Sequence, residues 1–187
     1  METLTKISAL IKLIEDPDEQ IFSQVRNEML SMGSMVIPDL ENALISAPNE
    51  DSVGRITEIL NDIQIENLCQ SFELWIQTEE QDLLELMILI EQIRDFNFPK
   101  QEIIERIAQL KMDVWLELND NQTILEQIKI INRIFYLKHE FSPDEKEPHA
   151  FHNYFIHSVL NTKKGNDTTL GLLYLYLAQS QNISLWA

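Results

Sequence analysis

Apolar residues recur every three or four positions through most of the chain, which is the spacing of amphipathic helices. The first two stripes are Leu4, Ile7, Ile11 and Ile14, followed by Ile21, Val25, Met29 and Met32. No segment of useful length alternates with the period of two that a half-buried strand shows. The pattern predicts an all-α protein of nine or ten helices, with antiparallel neighbours joined by short loops.

Turn residues locate the ends of several predicted helices. In Asp16-Pro17-Asp18-Glu19, Asp16 is the predicted N-cap, Pro17 the first helical residue and Glu19 the partner in a capping box. Gly33 is predicted to end the second helix. The two prolines between Phe141 and Pro148 predict a loop.

The N-terminal pattern resembles HEAT-type repeats, in which Asp-Pro turns join helices that need a neighbouring repeat to bury their apolar faces. The resemblance is carried by Asp16-Pro17, Val25-Arg26 and Ile37-Pro38. An acidic, cap-like segment at Thr78-Glu79-Glu80-Gln81 suggests a boundary. We therefore predict HEAT-like helical repeats in residues 1–78 and a second domain in residues 79–187.

Composition and charge narrow the classes of partner. Hydrophobic residues make up 44% of the chain and only 4 residues are glycine, as in a compact helical protein. The 14 basic and 31 acidic residues give a net charge of −17, which repels nucleic acid and anionic membranes. No apolar run approaches the roughly 20 residues of a membrane span. We expect a cytoplasmic protein without a cofactor, in which the single cysteine, Cys69, is buried and inert.

The last third of the chain carries a second resemblance. Its motifs are the Asn132-Arg133 pair, the segment from Asn153 to Leu160, the turn Gly165-Asn166-Asp167-Thr168-Thr169 and the Leu/Tyr-rich helix from Leu170 to Ala178. Together, over about residues 124–187, they are similar to the helical first half of the SirB1-like family. That family has a transglutaminase-like core, so the resemblance implies the helical part of such a core.

The resemblance also concerns the position of a nucleophile. In the transglutaminase-like superfamily a nucleophilic cysteine follows a glycine-containing turn at a helix N-terminus, and its His and Asp partners come later on strands. Here the turn contains Gly165, Asp167, Thr168 and Thr169 but no cysteine, and the sequence ends at Ala187 before a later histidine. We expect a degenerate site with no catalytic residue, in which Asp167 is the N-cap and Gly165 takes a positive φ.

A histidine-rich segment contains residue types that could bind a metal ion. His149, His152 and His157 lie close in sequence to Asp144 and Glu147, and imidazole with carboxylate suits zinc. On one helix, however, His152 and His157 would point to different faces because they are five residues apart. We therefore predict no metal site.

Three hypotheses for the function follow. The first is a noncatalytic protein-interaction or regulatory module of the SirB1-like, transglutaminase-like group, whose protein partner the sequence does not identify. The alternative is a fragment of a transglutaminase-like, papain-like enzyme whose His and Asp partners lie beyond Ala187. The third is a regulator acting through another protein, because the SirB1 name is associated with transcriptional regulation and the acidity argues against direct DNA contact.

The helix from Leu170 to Gln179 is apolar on nearly every side. Such a helix needs cover all round. We therefore expect part of it to be exposed in a monomer and covered in a homodimer through Tyr174, Leu177 and Trp186. Five aromatic residues are predicted to be largely buried: Phe98, Trp115, Phe135, Tyr154 and Phe155.

Overall fold

The computed structural model describes residues 2–183 and 185, with side chains from Thr5 onward. The predicted all-α class is confirmed, because helices contain most of these residues. The α-helices are α1 Glu2–Leu13, α2 Glu19–Met32, α3 Ile37–Ile45, α4 Glu50–Gln77, α5 Leu83–Arg94, α6 Lys100–Trp115, α7 Ile124–Asn132, α8 Ile156–Thr162 and α9 Asp167–Gln179. Short 3₁₀ helices occupy Gly33–Val36 and Phe151–Tyr154, and a π-helix occupies Arg133–Lys138.

Two short strands pair in parallel: β1 Ser142–Pro143 and β2 Lys164–Gly165. Ser142 lies opposite Lys164, and Pro143 opposite Gly165. Strand β1 lies within the predicted loop after Phe141, and its pairing with β2 brings this loop to the segment between α8 and α9.

Helix α2 begins later than the sequence pattern predicts. The N-cap is Asp18, whose carboxylate accepts a hydrogen bond from the Gln20 amide at 2.8 Å, so the assignment of Asp16 as N-cap and Pro17 as first helical residue is wrong. The Asp16 carboxylate instead accepts from the Asp18 amide at 2.9 Å and stabilises the turn before the cap. The prediction that Gly33 ends α2 is confirmed, with a φ of 62°.

The first of two compact units comprises Met1–Ser71. Its core contains Ile7, Ile14, Val25 and Met29, as the stripes predict. The other buried members are Phe22, Val36, Leu40, Ile56, Ile59, Leu60 and Ile63. Arg55 joins the α1–α2 turn to α4, because its guanidinium donates to the Ile14 carbonyl at 2.9 Å and lies 4.6 Å from the centroid of the Phe22 ring.

The second compact unit comprises Phe72–Ala187, and α9 lies near its centre, in contact with α5, α6, α7 and α8. The unit has two apolar clusters. The larger contains Phe135, Phe141, Leu170, Leu173 and Leu177 among others, and the smaller consists of Val114, Ile131, Ile134, Ala178 and Ile183. Successive residues of the π-helix, Ile134 and Phe135, therefore belong to different clusters.

The burial of aromatic residues is predicted only in part. Phe98, Phe135 and Phe155 are buried as expected. Trp115 and Tyr154 are 61% and 45% exposed, so their predicted burial is wrong. Trp115 follows Val114, the last residue of the buried stripe on α6, and one step along a helix turns a side chain by about 100° away from that stripe.

Cys69 is exposed, so its predicted burial is also wrong. The buried residues of α4 end at Ile63, and the thiol lies beyond them.

None of the described helices combines the length and apolar character needed to span a bilayer.

Candidate functional site around helix α9

The turn before α9 is closed by an asparagine cap. The N-cap is Asn166, whose side-chain oxygen accepts from the Thr169 amide at 2.8 Å. The prediction of Asp167 as N-cap is therefore wrong, because Asn166 already has the extended backbone that a cap requires and Asp167 is the first helical residue. Asp167 and Thr168 are exposed, whereas Thr169 is buried.

Gly165 is required for packing and not for a positive φ. The left-handed residue of this segment is Lys163, with a φ of 61°, so the predicted conformation of Gly165 is wrong. A Cβ at position 165 would lie 3.0 Å from Val159 Cγ2 and 3.2 Å from Leu170 Cγ. The absence of a side chain at Gly165 thus lets α8 and α9 approach the turn closely.

Lys163 lies beside the paired strands in a partly apolar setting. Its Nζ atom lies 4.7 Å from the centroid of the Phe141 ring. Burial, together with the nearby charge of Arg106, lowers the pKa of the Lys163 ammonium. The desolvated side chain therefore covers an aromatic ring of the core as well as carrying charge.

Asn153 is fully buried and connects the loop before α8 to the same turn. Its Nδ2 atom donates to the Glu147 carbonyl at 2.8 Å and to the Asp144 carboxylate at 3.3 Å. Its backbone carbonyl accepts a hydrogen bond from the backbone amide of Asn166 at 3.5 Å. Hydrogen bonds from the Glu147 amide and the Asn153 side chain hold the pKa of Asp144 below its usual range. The predicted motif residue Asn153 and the turn at Gly165 are thus brought together.

Two polar atoms at this junction are buried without a hydrogen-bond partner among the described residues. They are Oδ1 of Asn153 and Nδ2 of Asn166. An unpaired buried polar atom costs about 1–3 kcal/mol of folding free energy, and such atoms concentrate at functional or strained positions. The junction therefore brings two incompletely hydrogen-bonded side chains together beside the turn at Gly165.

Asn132 and Arg133 lie elsewhere. The Asn132 side chain accepts a hydrogen bond from the Tyr174 hydroxyl at 2.8 Å, and Arg133 pairs with Glu117. Burial, with a contribution from Tyr136, raises the pKa of Tyr174, which keeps the phenol protonated as the donor. These residues join α7 and the π-helix to α9 and to the turn that follows α6, not to the turn at Gly165.

The three histidines considered for zinc have separate surroundings. His152 lies 3.8 Å from Asp144, His157 contacts Asn161 at 3.2 Å, and His149 is exposed. Within residues 2–183 and 185, no group of three or more His, Cys, Asp or Glu side chains is arranged to hold a metal ion.

A buried polar cluster that sequence reasoning missed lies between α6 and the π-helix. Asp113 is 8% exposed and contacts His139 Nε2 at 2.7 Å, Lys138 Nζ at 3.1 Å and Gln109 Nε2 at 3.2 Å. Burial raises the pKa of Asp113, but the three hydrogen bonds together outweigh it and leave the pKa lowered. The separation of 26 residues between Asp113 and His139 gives no local signal of this contact.

Replacing Asp113 with asparagine is expected to destabilise the protein by about 1–2 kcal/mol at neutral pH, because His139 and Lys138 lose a charged acceptor. A lowered folded-state pKa contributes stability above the unfolded value and loses it as pH falls through the folded value. The difference in unfolding free energy between the original protein and the variant should therefore shrink in acid. Urea unfolding at several pH values measures this difference, and Asp120→Asn is the control because Asp120 is exposed. A difference that does not change with pH would contradict this account.

An open groove borders α9 on the side away from the buried leucines. It has a volume of about 1000 Å³. Its apolar lining comprises Leu83, Leu172, Leu175, Ile183 and Leu185, and its polar lining residues are Glu79, Glu80, Gln81, Asp82, Gln179 and Asn182. The groove therefore combines an apolar floor with an acidic edge.

The surface expected for a homodimer differs from this groove. Leu177 is fully buried within the single chain, so its predicted contribution to an exposed patch is wrong. Tyr174 is partly buried and Trp186 lies outside the described residues. Of the apolar residues of α9, Leu172 and Leu175 are the ones that line the open side.

Comparisons with known proteins locate one similarity. No curated protein and no solved structure matches the chain. A family model matches residues 101–186, which include nearly all of α6 and the whole of α7, α8 and α9 with both strands. This part of the chain is similar to the transglutaminase-like superfamily.

Proposed function

We propose that the protein is a noncatalytic interaction module that binds another protein through the groove beside α9. The observation that carries the proposal is the apolar stripe of Leu172 and Leu175, which lines an open groove of about 1000 Å³. Leu170, Leu173 and Leu177 on the same helix are buried in the larger core. An apolar stripe on a central helix that faces a concave surface is a typical docking site for a protein segment.

The construction of the turn before α9 supports a binding role. In the superfamily this turn presents a nucleophile, whereas here Asn166 caps the helix, Gly165 packs against Val159 and Leu170, and the Thr169 residue is buried. Each of these features fixes the position of α9 and hence the shape of its open side. Rigid support of this kind lowers the entropic cost of binding a partner.

The finer relationships also belong to this proposal. We infer a SirB1-like relationship for the second unit, because the fully buried Asn153 and the tightly packed Gly165 are residues of that resemblance. A HEAT-like character for the first part, domains at residues 1–78 and 79–187, and a cytoplasmic location remain predictions.

Selection of a displayed peptide library against the full chain tests this function. Selected peptides are expected to bind a Leu175→Ser variant at least about tenfold more weakly, because the groove loses part of its apolar floor. Leu137→Ser is the matched control, since Leu137 is 74% exposed and does not line the groove. Thermal unfolding of both variants establishes that they are folded. Failure to select any peptide, or equal binding to both variants, would contradict the proposal.

A further inference from the structure

We propose that the groove beside α9 accepts a basic amphipathic helix of another protein, with apolar side chains toward α9 and lysine or arginine toward the 79–82 turn. This inference rests on the proposed function and specifies the chemistry of the partner. It is carried by the charges along one edge of the groove, by the spacing of its apolar floor and by the way the edge is anchored.

Among the described residues, the charged side chains that line the groove are all acidic. Glu79, Glu80 and Asp82 form this edge, and the described lining contains no lysine or arginine. Asp82 is already engaged as the N-cap of α5, where it accepts from the Leu84 amide at 2.8 Å. Glu79 and Glu80 are exposed and form no ion pair with any cation of the described chain. Their charges are thus available to a basic partner.

The acidic edge is held in place by hydrogen bonds from neighbouring residues. The Trp75 indole donates to the Asp82 carbonyl at 2.8 Å, and the Gln81 side chain donates to the Ile76 carbonyl at 3.4 Å. These bonds tie the backbone of the turn to the end of α4, so Glu79 and Glu80 extend from an anchored segment at one edge of the groove. Charges placed along one edge favour one orientation of a charged partner as well as its sign.

The side of α9 that lines the groove has the periodicity of a helix surface. Leu172 and Leu175 lie at positions i and i+3, and the polar Gln179 at i+7 continues the same side, so that α9 borders the groove over about 10 Å, or two helical turns. Two turns of a docked helix would place apolar side chains at i and i+3 or i+4 against the leucines. Leu185 and Ile183 extend the apolar lining beyond the end of α9.

A second copy of the chain is the less favoured occupant. The net charge of −17 means that self-association at this groove would bring acidic surfaces together. Like charges placed together oppose association, whereas a basic segment gains from the same field. The charge complementarity therefore favours a different, basic partner.

The test uses two fluorescent peptides of about four helical turns with the same leucines at i, i+3 or i+4, one bearing lysine and arginine and the other glutamate at the remaining positions. Fluorescence anisotropy measures the affinity of each peptide for the full chain. The basic peptide is expected to bind at least about tenfold more tightly than the acidic one. The double substitution Glu79→Lys and Glu80→Lys should weaken binding of the basic peptide about tenfold and strengthen binding of the acidic peptide. Glu105→Lys with Glu145→Lys is the control of equal charge change, because both residues are exposed and neither lines the groove.

The outcomes separate this inference from the function on which it rests. Equal binding of the two peptides, each weakened by Leu175→Ser, would overturn the basic partner and leave a groove that binds protein segments. Loss of basic-peptide binding in both charge-reversal variants alike would overturn the role of the acidic edge. No binding of either peptide, while library-selected peptides bind at Leu175, would also overturn the basic helix. If sedimentation showed a dimer that the Leu175→Ser variant does not form, the occupant of the groove would be a second copy of the chain and not a basic helix.

Discussion

Replacing Glu91 with alanine is expected to destabilise the second unit by about 3 kcal/mol, because the carboxylate is fully buried and serves two partners. It pairs with Arg94, and its other oxygen accepts a hydrogen bond from the His157 amide at 3.0 Å. That amide lies in the first turn of α8, whose N-cap, Phe155, has no side chain able to accept it. Glu91 thus supplies from α5 the cap that α8 lacks.

The magnitude follows from what the substitution leaves behind. Removing one member of a buried ion pair typically costs 3–5 kcal/mol, and the Arg94 side chain, which is 30% exposed, regains some hydration. The value should therefore lie near the lower end of that range. Chemical denaturation measures it. Glu102→Gln is the control, since Glu102 is exposed and pairs with Arg106 at 3.1 Å, and this variant should lose less than about 0.5 kcal/mol of stability. Equal losses in the two variants would show that burial of Glu91 does not set its contribution.

Replacing Gly165 with alanine is expected to destabilise the protein by about 1–3 kcal/mol. The added methyl group would lie 3.0 Å from Val159 Cγ2 and 3.2 Å from Leu170 Cγ, and both residues are buried and cannot move aside freely. The backbone of Asp144 also donates to the Gly165 carbonyl at 3.1 Å, so movement of the turn would disturb the β pairing. Denaturant unfolding at fixed temperature measures the loss.

The same chemical change at Gly171 provides the matched control. A Cβ there would meet nothing within 4 Å, and the residue lies inside α9. Alanine has the higher helix propensity, so Gly171→Ala should stabilise the protein by about 0.5–1 kcal/mol. Opposite signs for the two substitutions are the expected result. A loss at position 171 as large as that at 165 would mean that helix α9, and not the close approach at the turn, limits both variants.

The helices of this protein could be predicted from sequence because their stability depends on apolar stripes that are visible locally. Ile7, Val25 and Met29 are buried as their spacing indicates. Helix starts were less accurate, since Asp16 and Asp18 are both good caps and the choice depends on a hydrogen bond between them. Periodicity alone therefore gave the right helix with the wrong first residue.

The site could be predicted less well, because it depends on contacts between distant residues. Asn153 and the turn at Gly165 were identified from motif resemblance, but the Asn153 backbone bond to Asn166 comes from the fold. The contact of Asp113 with His139, 26 residues apart, has no sequence signature. The open stripe of α9 was also missed, because an all-apolar helix does not indicate which side its neighbours leave uncovered.

The π-helix between Asn132 and His139 has a consequence for how the second unit unfolds. Its wider turn is closed by the bond from the His139 amide to the Ile134 carbonyl at 2.9 Å, and Ile134 and Phe135 point into different apolar clusters. The peptide bond between Ile134 and Phe135 therefore joins the two clusters, as does the one between Leu177 and Ala178 in α9. If either cluster opened, the shared backbone would move and would disturb a side chain that is packed in the other cluster. The two clusters should accordingly exchange their amide hydrogens as one cooperative block and not as independent subdomains.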